Sequence, residues 1–192
     1  MARLEIQGGQ RLSGRVRAAG AKNSVIKLMA ASILFEAPIS LTNVPNLRDV
    51  QTMASLLEHM GATCVWNGSE GLSIAAGSLA ETQAPYHVVR TMRASFNVLG
   101  PLLARYGQAE VSLPGGCAIG TRPVDQHLAG LAALGASVAI ESGYVRASAE
   151  HGLVGTDFSF NFPSVGATEH LLMAAVLAKG KTQLSGCARE PE

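Results

Sequence analysis

One period runs through this chain, and it restricts the fold to copies of a single unit. Leu28-Met-Ala-Ala-Ser-Ile-Leu34 is echoed by Leu172-Met-Ala-Ala-Val-Leu177. Leu57-Glu-His-Met-Gly-Ala62 is echoed by Leu131-Ala-Ala-Leu-Gly-Ala136, at about half that separation. The strand-like stretches Ile39–Leu41, Glu110–Leu113 and Thr182–Leu184 end on leucines spaced by the same half separation. These offsets are one period of about 72 residues, counted once or twice.

Each unit has the same reading. A first helix, apolar on nearly all sides as in a buried helix, is predicted at 23–35, 93–105 and 167–178. A short strand follows, at 38–42, 109–113 and 181–185. A second, amphipathic helix comes next, with Val50, Met53, Leu57 and Met60 as its buried stripe in unit one and Leu128, Leu131 and Leu134 in unit two. Gly61 and Gly135 fit C-caps, and Asn67-Gly68 and Ser142-Gly143 fit hairpin turns between paired strands at 62–66 with 71–75 and 136–140 with 143–147. The expected class is α/β, built from helix–strand–helix–strand–strand units around buried first helices. At this period, 192 residues make two full units and part of a third.

Composition narrows the function classes. The chain is 47% hydrophobic and 15% charged, enough apolar residue to bury a core. Its longest apolar run, Leu171 to Ala178, is far short of a membrane span, and its start has no apolar signal core, so a cytoplasmic protein is expected. Three cysteines without paired spacing speak against a disulfide scaffold or a zinc site. Net charge is +1, but residues 1–27 carry six basic residues against Glu5 alone. That stretch could attract nucleic acid, or it could be solvated strand faces. Arginines alternating with apolar residues, and no interleaved aromatics, favour strands.

The repeat register brings chemistry together. Lys22 opens the first helix of unit one, Arg93 takes the matching place in unit two, and Thr168 follows Gly166-Ala167 in unit three. Pseudo-symmetric units aim these helix starts at one axis. Helix N-termini attract anions, and cations there oppose the helix dipole, so Lys22 and Arg93 suit a phosphate or carboxylate site; the alternative is two surface charges. Between strand and second helix of unit two lies Leu113-Pro-Gly-Gly-Cys-Ala-Ile-Gly-Thr-Arg-Pro-Val-Asp125, a loop with Cys117 at its tip and Arg122 nearby. A thiol exposed near positive charge is reactive, whereas Cys64 and Cys187 have the settings of packing residues. The loop lacks the Lys-Ser/Thr of a phosphate-binding P-loop, and the chain lacks dinucleotide, hydrolase-elbow and zinc-protease motifs. In Phe162-Pro-Ser-Val-Gly-Ala-Thr168, Ser164 or Thr168 fits either an ordinary N-cap or a ligand contact. The five histidines show no ligand spacing and are read as packing or surface residues.

Gly20-Ala-Lys22-Asn23, Thr91-Met-Arg93-Ala-Ser95, Leu113-Pro-Gly-Gly-Cys117, Arg122-Pro-Val-Asp125, Ser164-Val-Gly-Ala-Thr168 and the closing Ala188-Arg-Glu-Pro-Glu192 together carry a resemblance. The chain resembles, along its whole length, the N-terminal portion of the UDP-N-acetylglucosamine 1-carboxyvinyltransferases, enolpyruvyl transferases of bacterial peptidoglycan synthesis. The resemblance implies an inside-out α/β barrel of pseudo-symmetric units, incomplete here. Residues 1–20 would be strands of a second domain, and 21–192 the catalytic-loop domain with two full units and a truncated third. It implies addition of the sugar 3′-hydroxyl to C2 of phosphoenolpyruvate, followed by loss of phosphate, with no cofactor or metal. Cys117 would protonate the C3 methylene, form an adduct with phosphoenolpyruvate and be alkylated by fosfomycin. Lys22, Arg93 and Arg122 would bind phosphoenolpyruvate and phosphate, and Asn23 the sugar near its reacting hydroxyl. Arg122, Pro123, Val124, Asp125, Ser164, Val165 and Gly166 would surround the uridine and diphosphate.

At Phe162 some members of that family carry a lysine facing the diphosphate. The family's acidic residue near the sugar hydroxyl, and a further arginine, belong to the part this chain lacks. The expected partners are therefore phosphoenolpyruvate, UDP-N-acetylglucosamine and the remaining half of the enzyme, without nucleic acid or membrane. The chain alone is expected to be inactive. The alternatives are a non-catalytic module that binds UDP-sugar and another enzyme of the same fold using Cys117 as nucleophile.

Overall fold

A computed structural model describes residues 3–9, 11–89, 92–114 and 124–191. The period in the sequence reappears as a period in the fold. Unit one runs α1 (Lys22–Ala31), a 3-10 turn (Ser32–Leu34), β1 (Ile39–Leu41), α2 (Arg48–His59), β2 (Thr63–Asn67) and β3 (Gly71–Ala75). Unit two runs β4 (Gln83–Ala84), a short α3 (Tyr86–Val89), a 3-10 helix (Arg93–Val98), α4 (Leu99–Tyr106), β5 (Gln108–Ser112), α5 (Asp125–Ala133), β6 (Ser137–Glu141) and β7 (Tyr144–Ser148). Unit three has β8 (Asp157–Ser159), α6 (Val165–Ala175) and β9 (Gln183–Ser185). The sheets are ordered β1-β3-β2, β4-β5-β7-β6 and β8-β9.

The predicted stripe of α2 is buried at Val50, Met53, Leu57 and Met60. Leu131 of α5 and Leu134 just past it are buried, while Leu128 is half-buried. Both second helices end on a left-handed glycine. Gly61 (φ 105°) lets the Ala62 amide donate to Leu57 O at 2.9 Å, and Gly135 (φ 91°) lets Ala136 donate to Leu131 O at 3.1 Å. Ser142 and Gly143, both at positive φ, form the two-residue turn between Glu141 and Tyr144. The other hairpin differs from expectation. Asn67 pairs with Gly71, so it is the last strand residue and the turn is 68–70.

Two further elements differ from the sequence reading. Units two and three begin with an extra short strand, β4 and β8, each parallel to the strand that follows its first helix. Two- and three-residue strands carry too few positions for a period-two signal. The first helices are also less enclosed than their composition implies. Residues 99–103 of α4 are buried on every side, between α6 and the 3-10 turn after α1. In α1 and α6, Leu28 and Leu172 are half-exposed, as is Val176 just past α6, and nothing among the described residues covers that face. Residues 3–9 and 11–21 form neither helix nor strand and leave Leu4, Ile6, Leu12 and Val16 almost fully exposed. No helix among the described residues is long and apolar enough to cross a membrane.

A seam joins units one and two. Arg105, in the last turn of α4, donates to Ile33 O at 3.1 Å and to Gly77 O at 3.0 Å. The neighbouring Tyr106 hydroxyl accepts from the Leu79 amide at 3.0 Å. Backbone carbonyls that the chain leaves open after α1 and β3 are thus satisfied by a side chain 28 to 72 residues away.

Candidate functional site

Helix starts define a cleft of about 640 Å³. Lys22 and Asn23 open α1, and Asp49 lies in the first turn of α2. Arg93 opens the 3-10 helix of unit two. Val124 and Asp125 stand at the start of α5, and Ser164, Val165 and Gly166 at the start of α6. Four α-helices thus turn amide-rich N-terminal ends towards one space, which favours negative charge within it.

The local sequence explains why these starts stay in place. Ser164 is the N-cap of α6, its hydroxyl accepting from the Ala167 amide at 3.4 Å. Gln126, almost fully buried, accepts from the Asn161 amide at 2.8 Å and donates to Phe162 O at 3.2 Å. One glutamine on α5 therefore fixes the chain that leads into α6. In unit two, Pro101 sits in the first turn of α4, where its missing N–H costs nothing, but it prevents an α-helix from continuing back through Arg93. The result is a 3-10 start at the position matching the regular start of α1.

The cations predicted from the register are present together with carboxylates. Lys22 Nζ donates to Asp49 Oδ2 at 2.8 Å. Deeper in the cleft, Lys27 of α1 pairs with Glu169 of α6, and both side chains are largely buried. Among the described lining residues, Lys22, Lys27 and Arg93 face Asp49, Asp125 and Glu169. Asp49 and Asp125 occupy first turns, where a carboxylate satisfies the helix dipole.

Beneath the opening lies an aromatic cluster of His127 (α5), His170 (α6) and Phe96. The two histidine rings share a hydrogen bond between Nδ1 atoms, 3.1 Å apart. Burial, then the Arg93 charge, pushes His127 down to about 4, against a smaller opposing effect of Asp125. Burial, with His127 second, also holds His170 well below the usual histidine value.

Lys22, Asn23, Arg93, Val124, Asp125, Ser164, Val165 and Gly166 are therefore brought to one cleft. Cys117, Arg122 and Pro123 lie outside the described residues. Thr168 is not in the cleft, because one helical turn past Ser164 it faces the C-terminal segment and accepts from the Ala188 amide at 3.1 Å. Phe162 lines the opening, half-exposed. Cys64 behaves as a packing thiol, its Sγ 3.9 Å from Ala54 O and its pKa raised to about 12 by burial and then by Glu58. Sequence reasoning missed Asp49, Lys27, Gln126, Glu169 and the histidine pair as cleft residues. A signal existed for His127, which stands at i, i+4 and i+7 with the buried Leu131 and Leu134. No group of three or more histidine, cysteine or acidic residues suited to a metal ion occurs among the described residues.

The sequence profile of EPSP synthase (3-phosphoshikimate 1-carboxyvinyltransferase) matches residues 6–192. The chain belongs to the EPSP synthase family. Within it, the chain is 57% identical over its whole length to the UDP-N-acetylglucosamine 1-carboxyvinyltransferase of Hyphomonas neptunium, covering 45% of that protein. It is 54% identical to the enzyme of the same name from Acinetobacter baylyi, covering 46%. The chain thus spans a little under half the length of these relatives. Its fold is similar to the enolpyruvyl transferase NikO from Streptomyces tendae, with a TM-score of 0.77, 23% identity, and coverage of 92% of this chain and 41% of that one. EPSP synthase from Acinetobacter baumannii matches with a TM-score of 0.69 and 17% identity, over 93% of this chain and 40% of that one. The enolpyruvyl transferase fold is therefore present, and incomplete.

Proposed function

We propose that this chain forms one wall of a UDP-N-acetylglucosamine 1-carboxyvinyltransferase, the enzyme that moves the enolpyruvyl group of phosphoenolpyruvate to the 3′-hydroxyl of the sugar nucleotide. The observation that carries this reading is the cleft itself. Lys22, Asn23, Arg93 and the Ser164–Gly166 start of α6 meet in a space of about 640 Å³, within the range of ligand pockets. Both substrates are polyanions, and helix starts flanked by long-armed cations are suited to their phosphates. In this reading Lys22, Arg93 and Arg122 hold phosphoenolpyruvate and the departing phosphate, and Asn23 orients the sugar. Val124, Asp125, Ser164, Val165, Gly166, Arg122 and Pro123 surround the uridine and diphosphate. Cys117 supplies the proton that C3 of phosphoenolpyruvate gains on addition.

The same reading assigns residues 1–20 to a second domain, with 21–192 as the catalytic-loop domain. The exposed Leu4, Ile6, Leu12 and Val16, and the uncovered face of α1 and α6, agree with a fold whose remainder lies outside this chain. One wall cannot bring two substrates into reacting geometry. The purified 192-residue chain is expected to bind UDP-N-acetylglucosamine in calorimetry and to release no phosphate from phosphoenolpyruvate. Lys22→Ala should leave sugar-nucleotide binding nearly intact and weaken phosphoenolpyruvate binding about tenfold or more. Fosfomycin added with the sugar nucleotide should leave a mass adduct on Cys117. Absence of sugar-nucleotide binding, or an adduct on Cys64 or Cys187 instead, would sink the assignment.

A further inference from the structure

The buried histidine pair borders the cleft and has no role in the proposed chemistry so far. His127 lines the cleft, while His170 is fully buried behind it. Their Nδ1 atoms are 3.1 Å apart, which leaves room for one shared proton. Burial keeps both rings neutral near pH 7, so each carries one N–H. Two arrangements satisfy that bond. In one, His127 Nδ1 donates, so its Nε2 is a bare acceptor and His170 must carry its N–H on Nε2. In the other, His170 Nδ1 donates, so its Nε2 is a bare lone pair and His127 carries its N–H on Nε2.

The surroundings of His170 Nε2 decide between them. That atom is buried without a hydrogen-bond partner among the described residues. It lies over Gly100 of α4, close enough that a Cβ there would stand 3.0 Å away. Gly100 stands in the first turn of α4, where the carbonyl is committed to the helix ladder and is no free acceptor for an N–H on that atom. An orphaned buried N–H is the more costly and rarer defect than an under-used acceptor, so the lone pair belongs on Nε2 of His170.

We infer that His170 is a positioning residue that locks His127 in its Nε2–H tautomer, so that His127 presents a neutral hydrogen-bond donor to an anionic ligand in the cleft. A neutral donor adds an interaction with phosphate or carboxylate without a further cation in a wall whose described residues already include Lys22, Lys27 and Arg93. Gly100 is part of the device, since any side chain there would drive His170 out of register. The inference rests on the proposed reading for its ligand class, but not for the tautomer.

Nitrogen-15 correlation spectra of the unliganded 192-residue chain at neutral pH test the tautomer directly. The expected result is a protonated Nε2 on His127 and a protonated Nδ1 on His170. The reverse assignment, or averaged tautomers on His127, would overturn the inference whatever the ligand proves to be. His170→Asn keeps an N–H donor near the Nδ1 position, and His170→Phe keeps the ring and removes the donor. Titrated with UDP-N-acetylglucosamine and separately with phosphoenolpyruvate, His170→Phe should lose about tenfold in affinity for at least one of them, and His170→Asn should restore most of it. Unchanged affinity for both ligands in His170→Phe would also overturn it. If the unsubstituted chain binds neither ligand while the tautomers are as expected, the functional reading falls and the tautomer lock stands.

Discussion

Units one and two follow one chain plan and build different cleft walls. Unit one enters with a regular helix and carries its charge as ion pairs, Lys22 with Asp49 and Lys27 with Glu169. Unit two enters with a 3-10 helix and sets a neutral histidine behind Arg93. Ala30 and Pro101, which occupy matching positions of the period, account for the first difference. The contrast teaches that a repeat keeps its packing more strictly than it keeps the way each copy meets a ligand. Buried apolar residues recur in the second helices, Leu57 with Leu131 and Met60 with Leu134, while the polar starts of the first helices have diverged.

The largest test of that contrast is to exchange the backbone cue. Ala30→Pro places a proline at a buried position inside α1, removing one ladder bond and clashing with the preceding turn. It should cost about 3 kcal/mol or more in urea unfolding. Pro101→Ala, in a first turn, should change stability by less than about 1 kcal/mol. Equal effects would mean that proline does not set the difference between the two helix starts.

A smaller effect separates the walls by pH. His127 has a folded pKa of about 4 against an ordinary value near 6.5. A depressed base binds fewer protons folded than unfolded, so stability is full above about pH 6.5 and falls as pH drops towards 4. The loss should be at most roughly 3 kcal/mol from His127, with His170 acting in the same direction. Thermal melts from about pH 7.5 to about pH 4.5 should show this slope, and His127→Gln should flatten it. A flat profile in the unsubstituted chain would remove the neutral pair.

The smallest effect falls on unit one. Lys22 and Asp49 are both partly exposed, so Asp49→Asn should change stability by under about 1 kcal/mol. It should still raise affinity for phosphoenolpyruvate a few-fold at low salt, by removing a carboxylate that competes for Lys22, and the gain should fade as salt rises. Weaker binding would instead make Asp49 the holder that points Lys22 into the cleft.

What the sequence disclosed follows a physical line. The repeat was legible because buried stripes, glycine caps and the Ser142-Gly143 turn all depend on residues close in the chain. The strands β4 and β8 were not, being too short for a pattern and held by parallel partners far along the chain. In the cleft, Lys22 and Arg93 could be placed from register alone, whereas register pointed to Thr168 in unit three, which faces the C-terminal segment instead, and Ser164–Gly166 rested on the resemblance. The carboxylate partners could not be placed, because Lys27 meets Glu169 across 142 residues and no local rule pairs them. The apolar first helices suggested complete burial. Among the described residues, 99–103 of α4 are buried on all sides, whereas Leu28 of α1 and Leu172 of α6 stay half-exposed.

The seam at Arg105 bears on how such a repeat divides. Its guanidinium closes the end of α1 and the strand exit at Gly77, while Tyr106 holds Leu79. A protease cut or an engineered chain break near Gly77 would therefore strip both copies of a shared fastening. The part that should melt as one is the pair and not the single copy.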